Sequence, residues 1–88
     1  MADELQTIPG IGPSMARDLR DLGYFSVKEL AGQDPELMFK RLQLIHGTKI
    51  DRCVLYVFRC AVYYATEQEH EPELLKWWVW QDRPKRKG

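Results

Sequence analysis

Ile8-Pro9-Gly10-Ile11-Gly12-Pro13-Ser14-Met15-Ala16-Arg17-Asp18-Leu19 is the stretch that decides the fold. Pro9 and Gly10 stop whatever precedes them. Pro13 suits the first position of a new helix, where its missing N–H costs nothing. Met15, Ala16, Leu19 and Leu22 then recur at helical spacing, with Arg17, Asp18, Arg20 and Asp21 on the other face. Small Ala16 permits close helix approach and Leu19 fills the core. Two glycines at i and i+2 let the backbone take positive φ and come close to another molecule.

Working outward, residues 3–8 form a short amphipathic start through Leu5 and Ile8. Downstream, Gly23 is a natural C-terminal cap. Ser26-Val27-Lys28-Glu29 matches a capping box and opens a short helix that ends near Gly32. Asp34 and Pro35 start another helix, with Leu37, Met38, Leu42 and Ile45 as its expected buried stripe. His46-Gly47 breaks it. Thr48-Lys49-Ile50-Asp51 reads as a second capping box, opening the longest helix over about residues 49–66. Its expected apolar face is Ile50, Cys53, Val54, Val57, Ala61, Tyr64 and Ala65. After an acidic linker at 67–71, Pro72 opens a last, tryptophan-rich helix over 72–81. The basic tail 83–88 is expected to be disordered. The expected architecture is one all-α domain, residues 1–82, of about five to six short helices. It holds one hairpin at Pro9–Gly12 and a degenerate second one near His46-Gly47.

The 88 residues suffice for one domain with a modest core, and 44% hydrophobic with 30% charged is ordinary globular composition. Thirteen Lys and Arg balance thirteen Asp and Glu. Nucleic-acid binding by a global basic field is therefore excluded, and any such binding must come from local geometry. The first seven residues lack the apolar core of a signal peptide, and no apolar run approaches a membrane span. Cys53 and Cys60 lie two helical turns apart, about 10 Å, too far for a disulfide within one helix. The expectation is a reducing, cytoplasmic setting with no membrane association.

A helix that starts at once after the turn points its first N–H groups outward, which makes an anion site. Gly10, Gly12, Ser14 and Met15 would offer amides, Ser14 a hydroxyl, and Arg17 a guanidinium one turn on. A backbone phosphate fits that set and would be held without sequence preference. The same turn also serves as a plain link between helices, with Ile11 plugging the core.

"IPGIGPSMARDLRDLG" resembles the helix–hairpin–helix motif of DNA repair and processing proteins. "GIGPSMARDLRDLGYFSVKELAGQDPELMFKRL" followed by "DRCVLYVFRCAVYYA" resembles a small bacterial family of pathogenicity-locus proteins, some of them called mitomycin-resistance proteins. The likeness runs over about residues 5–65. It implies a stand-alone helix–hairpin–helix protein of the SAM/HhH-like kind. It also implies DNA or RNA backbone binding at Pro9, Gly10, Ile11, Gly12, Ser14 and Arg17. Some such hairpins hold a monovalent cation with their carbonyls, and others bind only protein.

Other patterns compete with that site. Arg52, Tyr56, Arg59 and Tyr63 form one helical face that would suit phosphates and exposed bases. The preferred reading makes the two tyrosines rim-core residues covered by the last helix. Trp77, Trp78 and Trp80 cannot all face one way, so at least one is expected at the surface. Arg52, Arg59, Trp77 and Trp80 are thus a secondary surface, for a protein partner or a weak homodimer. His46, Cys53, Cys60 and His70 lack zinc spacing, and no metal or other cofactor is expected. No nucleophile–base pair or carboxylate pair converges, so no enzymatic activity is expected. The leading function is non-catalytic backbone binding. The alternative is a protein-interaction module working through the tryptophan helix.

Overall fold

The computed structural model describes residues 4–81, and in them the chain is all-helical, with three α-helices and four short 3-10 turns. α1 spans Pro13–Asp21, α2 Pro35–His46 and α3 Cys53–Thr66. The 3-10 turns are Glu4–Thr7, Lys28–Leu30, Pro72–Leu75 and Trp77–Trp80. Asp3 and the tail 83–88 lie outside the described residues.

Local signals set most boundaries. Pro13 stands in the first turn of α1 and Pro35 in that of α2. The Asp34 carboxylate accepts the Glu36 N–H at 2.9 Å. α1 ends in a Schellman motif, with Tyr24 N–H on the Leu19 carbonyl and Gly23 N–H on that of Arg20. That geometry needs φ +100° at residue 23, which glycine accepts. At the Ser26 box the Glu29 carboxylate takes the N–H groups of Phe25 and Ser26, so half of the expected reciprocal pair forms.

α3 is the central element. α2 packs along it, the Trp77–Trp80 turn covers another side and the Lys28–Leu30 turn a third. α1 joins through α2 and the Glu4–Thr7 turn. Leu5, Ile8, Ile11, Ala16, Leu19, Leu30, Met38, Leu42, Leu55 and Phe58 build the core.

This arrangement corrects several expectations. α3 begins at Cys53, not at 49, because the Asp51 carboxylate caps the Cys53 N–H at 2.9 Å. Its buried residues are Leu55, Val57, Phe58, Cys60 and Ala61. Val57 and Ala61 belong to the expected face, Ile50, Val54, Tyr64 and Ala65 of that face are partly buried against the core, and Cys53 is exposed. A helix flanked on several sides has no single apolar stripe. On α2, Met38, Phe39 and Leu42 are buried, while Leu37 and Ile45 stand more than half exposed. Leu37 lies about 100° round the helix from Met38. Ile45 shares the core azimuth but falls in the last turn.

The single helix expected over 72–81 is two 3-10 turns, divided at Lys76 in an extended conformation. The two halves of the chain are also unequal. A four-residue 3-10 turn precedes the first glycine turn, and the twelve-residue α2 precedes the second.

Candidate functional site

The turn at 8–12 leads into α1 with Ile8 and Ile11 buried, Pro9 and Gly12 half-buried and Gly10 at the surface. Gly10 adopts φ +86° and is exposed. Gly12 caps α1 in an extended conformation, with no side chain bonded across the helix start. Its carbonyl accepts the Ala16 N–H at 2.9 Å. Ile11 donates its N–H to the Ile8 carbonyl at 3.1 Å and buries its side chain. Ile11 therefore locks the turn onto the core and brings neither amide nor side chain to a ligand. Among the described residues, the N–H groups of Gly10, Gly12, Ser14 and Met15 have no intramolecular acceptor. Gly12 at the N-cap and Ser14 and Met15 in the first turn belong to the start of α1, which holds no acidic residue, and Gly10 lies two residues before it.

Pro9 is half-buried, and Ser14 and Arg17 are exposed, one helical turn apart. Pro9, Gly10 and Gly12 lie in the turn, and Ser14 and Arg17 in the first two turns of α1.

The C-terminal turn reaches this same place. A Cβ built on Gly10 would stand 3.1 Å from Cδ1 of Trp77. Trp77 is partly buried against the core. Trp78 packs edge-on against it, with ring centres 5.9 Å apart and planes at 86°. Trp78 is 51% exposed. Trp80 is half-buried, donates its indole N–H to the Leu74 carbonyl at 2.9 Å and lies against Tyr63. Sequence reasoning assigned Trp77 and Trp80 to the surface and missed Trp78. Its signal lay in the rule that three near-neighbouring tryptophans cannot share one face, but the backbone path that chooses among them was not legible.

Arg59 does not face solvent as a free cation. One nitrogen donates to the Trp80 carbonyl at 2.7 Å and the other to the Glu36 carboxylate at 2.6 Å. Its guanidinium also sits 5.7 Å from the centre of the Tyr56 ring. The Tyr63 hydroxyl accepts the Glu71 N–H at 2.9 Å. The Arg59–Tyr63 part of the stripe is therefore a clamp for the C-terminal segment. Arg52 is exposed at the N-cap of α3.

Burial pushes the Cys60 thiol up to about 11, and its Sγ lies 3.7 Å from the Leu74 carbonyl. Cys53 is exposed, and its thiol is raised chiefly by hydrogen bonding to Asp51. Asp18, Asp21 and His46 bring their donor atoms within 4.8 Å of one another, with His46 Nε2 3.7 Å from Asp18. Burial raises the Asp18 pKa above the usual carboxylate value. A shallow groove lies apart from the turn, lined by Lys40, Gln43, Leu44, Gly47, Thr48 and Lys49. No helix among the described residues is long and apolar enough to cross a membrane.

The family model described as pathogenicity locus matches residues 1–86. The chain is 28% identical over 83 residues to the mitomycin resistance protein McrB of Streptomyces lavendulae, covering 94% of this chain and 75% of that protein. No solved structure matches.

Proposed function

This chain belongs to the pathogenicity locus family, and we propose that it is a non-catalytic module that grips nucleic-acid backbone through the turn at 8–12, used as the hairpin of a helix–hairpin–helix. The observation that carries this reading is the set of four amides, from Gly10, Gly12, Ser14 and Met15, with no acceptor in the described fold. Amides at a helix N-terminus suit an anion with several acceptor oxygens, and phosphate is such an anion. Arg17 adds a charge-assisted bond one turn away. Base edges play no part, so the contact carries no sequence preference. The free thiols suit a reducing, cytoplasmic setting.

A protein-docking role for the tryptophan segment is the second reading. With Trp77 and Trp80 seated on their own chain, it rests on Trp78.

Fluorescence anisotropy with a labelled DNA duplex tests the leading reading. Binding is expected at low salt and weakens as salt rises. Ser14→Asp is the informative variant. A carboxylate in the first turn stabilises α1 by about 0.3–1 kcal/mol. It also repels phosphate. A protein that melts higher yet binds DNA more weakly is the expected pair of results. No binding of either a duplex or a single-stranded probe at low salt, or unchanged affinity in Ser14→Asp, overturns the proposal.

A further inference from the structure

We propose that Trp78 is a stacking platform for an unpaired nucleobase, so that this surface selects single-stranded over closed duplex nucleic acid. The inference rests on backbone binding at the 8–12 turn and adds the substrate class. Three observations carry it.

The first is position. Trp77 lies against Gly10, and Trp78 stands one ring beyond it, 5.9 Å from centre to centre. The exposed indole is therefore one ring removed from the contact between Trp77 and the turn.

The second is that the ring is held out. The 3-10 turn that carries it is anchored at its end by Arg59 on the Trp80 carbonyl and by the Trp80 indole on Leu74. Trp77 supports it from the side. Trp78 still leaves 51% of its surface in water, which an apolar ring does at a cost. A fixed aromatic face loses little side-chain freedom when a base stacks on it.

The third is charge. The chain beyond Trp80 carries Arg83, Lys85, Arg86 and Lys87 against the single acid Asp82. In the sequence a basic stretch follows the exposed aromatic turn, and a polyanion that also offers flat rings matches that composition. An acidic peptide meets the charge but not the ring. A closed duplex meets the charge, but its base faces are already covered by their neighbours, so stacking needs an open strand.

The test uses the intact protein with three labelled probes: a twelve-nucleotide oligothymidine, a twelve-base-pair duplex, and that duplex with a single-stranded overhang. Affinity is read by anisotropy, and base contact by quenching of tryptophan fluorescence. Oligothymidine and the overhang are expected to quench. Trp78→Ala should weaken oligothymidine binding roughly tenfold or more. Its duplex affinity should stay within about twofold of wild type. Trp78→Phe should recover part of the loss. Unchanged oligothymidine affinity in Trp78→Ala, or equal loss on both probes, overturns the platform. Equal loss on both probes, with retained sensitivity to Ser14→Asp, leaves the backbone reading standing alone. A wild-type dimer in sedimentation that Trp78→Ala dissolves assigns the ring to self-association and overturns the platform. Failure of every probe to bind overturns both proposals.

Discussion

The Trp77 ring rests on Gly10, with Cδ1 3.1 Å from where a Cβ would stand. This contact ties the end of the described chain to the turn near its start. It makes the glycine turn and the tryptophan segment one surface, where the sequence offers them as rivals.

Gly10→Ala is expected to destabilise the fold by about 1–2 kcal/mol from its left-handed backbone alone. Crowding against Trp77 adds to that loss. Gly12→Ala should be close to neutral for folding, since its backbone is extended and a Cβ there meets nothing within 4 Å. Urea unfolding of the two variants checks the difference. Gly12→Ala is thus the better glycine variant for binding studies.

The Arg59 clamp predicts a local effect. Arg59→Met should cost about 1.5–3 kcal/mol, the range for a hydrogen bond to a charged group in a mostly buried setting. The loss should appear first as faster amide exchange in residues 72–81 and as red-shifted tryptophan emission. Glu36→Gln leaves the Trp80 bond in place and removes only a half-exposed ion-pair partner. It should cost less than about 1 kcal/mol.

The observed burial on α2 and α3 predicts a mutational pattern that the apolar spacing alone does not give. Phe58→Ala should cost about 3–5 kcal/mol and Leu55→Ala about 2–5 kcal/mol, because both side chains are fully buried. Cys53→Ala, Leu37→Ala and Ile45→Ala should each lie within about 1 kcal/mol of wild type. Thermal melts separate the two groups.

Thiol chemistry reports the same geometry. Cys60 is buried with its thiol near 11, so at pH 8 it should react with a disulfide reagent only as fast as the protein opens. Cys53 should be labelled in the native state, though more slowly than a free thiol, because Asp51 raises it. Two equally fast thiols would contradict the packing of α3.

Asp18 carries a pH dependence. Its folded-state pKa is raised, chiefly by burial, with Asp21 repulsion adding to it. A raised value favours the protonated form in the fold. Stability from this group is therefore present below the unfolded carboxylate value and is lost as pH rises through the folded one. Asp18→Asn should raise the melting temperature at neutral pH and flatten that part of the pH profile. Asp51 acts in the opposite sense. Its pKa is lowered by the Cys53 N–H, so its contribution is lost as pH falls.

By itself the sequence determined the all-helical class, the starts of α1 and α2 and the glycine turn that precedes α1. Those features depend on residues within one turn of each other, such as Pro13 at its helix start, Asp34 on Glu36 and Gly23 in its left-handed cap. Only the tertiary structure decided which faces are buried and where the tryptophans point. α3 is covered from several directions, so Leu55 and Phe58 enter the core although the period placed the stripe elsewhere. Residues 72–81 break at Lys76 because their carbonyls and rings are claimed by distant partners, Arg59 on Trp80 and Gly10 beneath Trp77. No local pattern encodes a partner that lies 21 or 67 residues away in the chain. That is why Trp78, the ring left in water, was legible only after the chain had folded.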